Sequence, residues 1–160
     1  MKKTYKVVFN EQVFKRTTER TYTHVVIARR NPEHVRKMAC IPNNKNNLKF
    51  YTERAQGTGT IYSWETPESI ARDVAKGNEI LAMGIDAYID WEIAQSLAKI
   101  DESIAKGNFD AYFEDGWCGR LDLAQKKAAS LRNTNYKGVA AYQDIEILEV
   151  AIAPTLKGSK

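Results

Sequence analysis

Thr21-Tyr22-Thr23-His24-Val25-Val26-Ile27-Ala28-Arg29-Arg30 is the stretch from which the fold is read. β-Branched and aromatic residues fill nearly every position from Thr21 to Ile27, and such side chains suit a pleated, half-buried surface. Alternation puts Thr21, Thr23, Val25 and Ile27 on one face and Tyr22, His24, Val26 and Ala28 on the other. Both faces turn apolar over Val25–Ala28, which predicts a central strand covered on each side. Asn31-Pro32-Glu33 stops the strand and opens a helix over Pro32–Ala39. Asn31 serves as N-cap, Pro32 takes the first helical position, and Glu33 lies near the positive end of the helix dipole. Ile41-Pro42 ends that helix, because a residue before proline is pushed out of helical geometry.

Upstream, Tyr5, Val7 and Phe9 alternate with Lys6 and Val8, which is strand spacing. Asn10-Glu11-Gln12 reads as a turn and Val13–Thr18 as the return strand. Downstream, the polar tract Asn43–Asn47 predicts a surface loop. Leu48–Thr52 and Thr60–Trp64 read as two short strands, with Gly57 and Gly59 at a hairpin end. Their Gly-x-Gly spacing lacks the strand–loop–helix setting that a phosphate cradle requires.

Thr66-Pro67-Glu68 opens a helical half by the same capping logic as Asn31-Pro32-Glu33. Lys76-Gly77-Asn78 is read as its first stop, with Gly77 in the left-handed cap conformation. A second helix then runs from Glu79 to Lys106, along a stripe of Ile85, Ile89, Ile93, Leu97, Ile100 and Ile104 widened by Leu81, Tyr88 and Trp91. That stripe exceeds what one neighbour covers, so the helix is expected to be largely buried or to meet a second chain. Lys106-Gly107-Asn108 ends it. Phe109–Trp117 is a short aromatic and acidic segment. Leu121, Ala124, Ala128 and Leu131 mark another amphipathic helix. Tyr142–Ile152 reads as a final strand, with a bulge where the alternation reverses at Leu148-Glu149-Val150. The expectation is an α+β fold: a mostly antiparallel β-sheet packed against a block of three to four helices. Residues 1–154 form a single domain in this reading, and 155–160 a flexible C-terminal tail.

The 160 residues are 43% hydrophobic and 28% charged, which suits a soluble globular chain and argues against wholesale disorder. Met1-Lys2-Lys3 is followed by Thr4-Tyr5-Lys6 instead of an apolar run, so no signal peptide is expected. No run reaches the ~18 apolar residues of a membrane span. Cys40 and Cys118 are too few for a thiolate-rich zinc site, and reduced thiols in a cytoplasmic setting fit them. No cofactor and no metal is expected.

Charge is unevenly laid out. Residues 1–60 hold 13 Lys/Arg against 4 Asp/Glu, net +9, and residues 61–160 hold 11 against 16, net −5. A basic half suits a polyanion and an acidic half suits a basic surface. The two halves could equally neutralise each other inside one fold, or in a head-to-tail homo-oligomer.

Three chemistries compete. The acidic stretch 65–122 holds 13 Asp/Glu against 5 Lys/Arg, net −8. It supplies a candidate partner-binding face of Asp86, Asp90, Asp101, Glu102, Asp110, Glu114 and Asp115. Such a face would occupy a basic groove meant for nucleic acid. Lys15, Arg16, Arg20, Arg29, Arg30 and Arg36, with Tyr22 between them, form the alternative, a small nucleic-acid-binding module that uses phosphate contacts and stacking. The third is a thiol enzyme centred on Cys118, with His24 as base and Asp115 or Asp122 as orienter. No local signature frames that set, and Trp117 and Cys118 read better as packing residues at a glycine-flanked helix start.

Tyr22-Thr23-His24-Val25-Val26 with Arg29-Arg30-Asn31, and Gly119-Arg120-Leu121-Asp122-Leu123-Ala124-Gln125-Lys126, resemble short segments of small accessory proteins encoded by tailed bacteriophages. That group brings no catalytic residues to carry over. The resemblance implies a setting: a phage protein made in the host bacterial cytoplasm that binds a host protein or ribonucleoprotein complex. CRISPR and other defence machinery are among such complexes. The leading expectation is therefore a non-enzymatic inhibitor of a nucleic-acid-handling or defence complex, without membrane association.

Overall fold

In the computed structural model, which describes residues 1–152, the strand predicted as central is central. The elements run β1 (Lys3–Phe9), β2 (Gln12–Thr18), β3 (His24–Arg30), α1 (Pro32–Ala39), α2 (Lys45–Ala55), α3 (Pro67–Met83) and α4 (Ile85–Ala105), then β4 (Phe113–Cys118), α5 (Leu121–Asn133), β5 (Asn135–Tyr136), β6 (Val139–Ala140), β7 (Tyr142–Glu149) and β8 (Ala151–Ile152). Among the described residues, five helices and three small antiparallel sheets make an α+β fold. The sheets are ordered β2-β1-β8, β4-β3-β7 and β5-β6. The expected tail, 155–160, lies outside the described residues.

The chain divides into two compact units. One comprises Met1–Met38 with the chain from Ile100 onward, and the other Ala39–Lys99. In the first unit β3 is paired on both edges, and both of its faces are covered. Val25 and Ile27 pack with Tyr5, Phe14, Tyr22 and Trp117 beneath the β1–β2 hairpin. Val26 and Ala28 pack with Cys118, Ala124, Ala128 and Leu131 beneath α5. All four β3 side chains are fully buried, so the double apolar face read from the sequence has its physical cause in two layers. Asn10 and Glu11 both take positive φ (46° and 63°). They form the two-residue hairpin turn whose twist matches that of the strands. Gln12 pins the hairpin to the segment before β4: its Nε2 donates to the Tyr112 carbonyl at 3.0 Å, and its Oε1 accepts from the Tyr112 N–H at 2.7 Å. Asn31 caps α1 through its Oδ1, which accepts from the Glu33 N–H at 3.2 Å.

Several expectations are corrected. Thr21–Thr23 precede the strand and do not belong to it. The segment from Phe109 contributes strand β4, in which the register with β3 shifts past Asp115. The bulge in β7 lies at Asp144 (φ 52°), opposite the Ile27/Arg29 register shift, and not at Leu148–Val150. The phase reversal at Leu148–Val150 instead marks where the chain leaves β3 and pairs with β1 as β8.

The second unit departs most. Asn43–Asn47 is only partly loop: Asn44 is the N-cap of α2, its side chain accepting from the Asn46 N–H at 2.9 Å. Leu48–Thr52 is helical, and Thr60–Trp64 forms no strand. Leu48, Tyr51, Thr52 and Ala55 recur at helical intervals, and the aromatic run Phe50-Tyr51 masked that period. Gly57 follows the end of α2 at φ 74° and does not close a hairpin. Gly77 is not a stop. It lies buried inside α3, and a Cβ built on it would stand 2.0 Å from the Tyr51 carbonyl oxygen of α2. α3 therefore continues to Met83, and the elbow falls at Gly84 (φ 89°), which separates it from α4. Leu48, Ile80, Tyr88 and Ile89 form the core of this unit.

Candidate partner-binding surfaces

The Gly84 elbow creates a notch. The last turn of α3 supplies Glu79, Ala82 and Met83, the first turns of α4 supply Tyr88 and Trp91, and together they line a cavity of about 480 Å³. Residues three apart on a helix lie on one side, which brings the Tyr88 and Trp91 rings to a centroid distance of 5.5 Å with a 40° tilt. Tyr88 is buried, while Trp91 and Met83 are exposed. Burial pushes the Tyr88 phenol up, and the charges of Glu92 and Glu79 add to the shift. Glu92, whose Oε1 is buried without a hydrogen-bond partner among the described residues, lines a separate cavity with Ile89 and Ile93 and not the notch. The wall of the notch is aromatic, its one charged lining residue is Glu79, and no lysine or arginine lines it. A cation entering it would meet ring faces and a carboxylate together, the two environments that stabilise a partly desolvated ammonium or guanidinium.

A second exposed feature in the same unit is a latched loop. Arg54, on α2, has a side chain only 1% exposed. Its guanidinium reaches Glu65 at 2.6 Å, Asp73 at 3.0 Å and the Thr60 carbonyl at 2.9 Å, and lies 4.5 Å over the Phe50 ring. Glu65 also accepts from the Tyr62 N–H at 2.7 Å. The Arg54 hydrogen bond first, and the Tyr62 N–H second, hold the Glu65 carboxyl below the usual carboxylate range. The latch sets out Ile61, Tyr62 and Trp64 on the surface. The Tyr62 and Trp64 rings stack at 4.5 Å and 12°, and Trp64 is 74% exposed.

The acidic residues expected to form one face are divided between the two units. Asp86 and Asp90 belong to the second unit, and Asp101, Glu102, Asp110, Glu114 and Asp115 to the first. Most are engaged locally. Asp86 pairs with Lys45 at 2.8 Å, Glu102 with Lys106 at 2.7 Å, and Asp101 with Arg36. Asp110 and Asp115 each stand 4.0 Å from a cation, Arg29 and Lys127 respectively, and Glu114 accepts from the Trp117 indole. Asp90 alone of the seven has no such partner among the described residues. By helical geometry Asp86 and Asp90 also project from the side of α4 away from Tyr88 and Trp91.

Within the basic set, Arg29 donates to Asp144 at 2.8 Å and Arg36 pairs with Asp101. Lys15, Arg16, Arg20 and Arg30 are exposed and have no carboxylate partner among the described residues. Arg16 lies 5.3 Å over the Tyr22 ring and Arg30 lies 5.0 Å over Phe109.

The β3–β4 register brings His24 directly opposite Cys118, as the thiol reading requires. The chemistry there is that of packing. Cys118 is 4% exposed beneath α5, and burial pushes its thiol up against a smaller opposing effect of Lys127, with Asp115 adding the least to the rise. His24 Nδ1 is hydrogen-bonded to the Thr23 hydroxyl at 2.7 Å. A neutral, buried thiol is a poor nucleophile. Among the described residues no group of three or more His, Cys, Asp or Glu is placed to hold a metal ion, and no helix is long and apolar enough to cross a membrane.

Sequence reading missed Glu79, Met83, Tyr88 and Trp91 as a site. The available signal is Tyr88 and Trp91 at i, i+3 shortly after Gly84, which an elbow placed at Gly77 hides. No family model, no curated protein and no solved structure matches this chain.

Proposed function

We propose that the chain is a non-enzymatic, phage-encoded binding protein that docks on a basic surface of a host nucleic-acid-handling or defence complex and blocks it. The observation that carries this reading is the notch at the α3–α4 elbow, an acidic and aromatic cavity with no cation of its own. The unit that bears it holds 6 Lys/Arg against 8 Asp/Glu, net −2. Grooves that bind nucleic acid are lined with arginine and lysine. One such side chain inserted between Trp91 and Glu79 would gain about 0.5–2 kcal/mol from the ring alone. Tyr, Trp and Arg dominate the energetics of protein interfaces, and the exposed Tyr62–Trp64 stack offers a further aromatic anchor. The phage setting comes from the sequence resemblance.

The test uses the full chain as bait in bacterial lysate and then the captured complex in a nucleic-acid-binding assay. Wild-type protein is expected to suppress nucleic-acid binding by that complex. Trp91→Ala and Glu79→Lys, both surface changes, are expected to lose capture and suppression together while retaining the helical circular-dichroism signal. Suppression that survives both substitutions would refute the reading.

A further inference from the structure

We propose that the outer face of the β2-β1-β8 sheet is a seat for a nucleic-acid phosphate backbone, centred on Lys6 and Lys15. The register of the hairpin places Lys6 opposite Lys15, Val8 opposite Val13 and Thr4 opposite Thr17. Tyr5, Val7, Phe9 and Phe14 pack inward on the core, so these three pairs face outward. Val8 and Val13 are 60% and 55% exposed. Ala151 of β8 lies beside Lys6. The described part of this face therefore carries two ammonium groups, an apolar pair and two hydroxyls, and no carboxylate. Neither lysine has an ion-pair partner among the described residues.

Like charges directly opposite each other destabilise a sheet, and a single lysine on the edge strand suffices to prevent edge-to-edge pairing. Lys15 on the edge strand β2 fits that protective role. Lys6 does not, because β1 is the middle strand of the three. Directly opposed side chains have Cβ atoms about 5 Å apart, so both ammonium groups can reach the oxygens of one phosphate. The valine pair next to them offers an apolar surface to a sugar. The unit as a whole holds 18 Lys/Arg against 12 Asp/Glu, net +6. A field of that sign steers a polymer of closely spaced anions better than it steers an isolated carboxylate. These observations favour a phosphodiester chain over an acidic peptide.

The experiment measures anisotropy of labelled single-stranded and duplex oligonucleotides with the full chain across a salt series, with thermal unfolding in parallel. Affinity is expected to fall linearly on a log–log salt plot, and Lys6→Ala and Lys15→Ala are each expected to lower the slope by about one. Lys15→Glu puts a carboxylate opposite Lys6. It is expected to abolish binding while raising the unfolding midpoint at low salt, a combination that unfolding cannot produce. Glu79→Lys and Trp91→Ala are expected to leave oligonucleotide binding no weaker, which separates this face from the notch. Three results would overturn the assignment. The first is oligonucleotide binding indifferent to both alanine substitutions. The second is a midpoint raised by inorganic phosphate with no oligonucleotide binding, which would mark a small-anion site. The third is binding of polyglutamate but not of oligonucleotide.

Discussion

Replacing Gly77 by alanine should destabilise the protein, although alanine is the better helix former. In an exposed helix interior Gly→Ala stabilises by about 1 kcal/mol. At Gly77 the new Cβ would stand 2.0 Å from the Tyr51 carbonyl oxygen, 2.7 Å from the Tyr51 carbonyl carbon and 2.8 Å from the Ala55 Cβ. Ordinary contact begins at 3.4 Å, so α2 and α3 must separate locally by about 1.4 Å. The obstacle is backbone on the facing helix, which cannot rotate away as a side chain could. Overpacking of a filled site costs about 1–3 kcal/mol and sometimes more. With the clash this severe, the cost lies at the upper end and outweighs the helix-propensity gain, leaving a net loss of about 2 kcal/mol. Valine, with two further carbons, should lose more. Urea unfolding followed by circular dichroism checks this through the transition midpoint at unchanged slope. A Gly77→Ala midpoint equal to or above wild type would show that the two helices do not cross in contact at Gly77.

Gly84→Ala should cost about 1–3 kcal/mol for a different reason, because no atom crowds the position but its φ of 89° resists a side chain; an unshifted urea midpoint would contradict that. The Arg54–Glu65 latch should weaken in acid: the folded-state pKa of Glu65 is depressed, so its contribution is present above the unfolded-state value and is lost as pH falls through the folded one. Tryptophan fluorescence from Trp64 should report that loss with decreasing pH, and Glu65→Gln should abolish the step; a step that survives in Glu65→Gln would assign it to another group. In the native protein a thiol reagent should modify exposed Cys40 rapidly and buried Cys118 slowly, and equal rates would contradict the packing of Cys118 beneath α5. Cys118→Ser should leave partner suppression intact, whereas loss of suppression in a folded variant would restore the thiol-enzyme reading.

The order of elements in the first unit was legible because local chemistry and tertiary packing agree there. Val25–Ala28 announced a doubly covered strand, Asn31-Pro32-Glu33 announced a helix start, and Leu121–Leu131 announced an amphipathic helix, each by side-chain period and capping that act over a few residues. Thr66 was likewise readable, its capping box with Ser69 being complete. The sequence alone could not tell whether a glycine ends a helix or admits a neighbour. The local signal, Lys76 before and Asn78 after, favours a stop at Gly77, and only the approach of the Tyr51 carbonyl decides that Gly77 stays helical and the elbow falls at Gly84. The site followed that decision, since Glu79, Tyr88 and Trp91 form one notch only when the turn falls between them. Charge behaved the same way. Composition fixed how many carboxylates and cations there are. Which of them pair with each other is set by cross-element contacts such as Asp144 with Arg29 and Asp101 with Arg36, between residues far apart in the chain that no local pattern encodes.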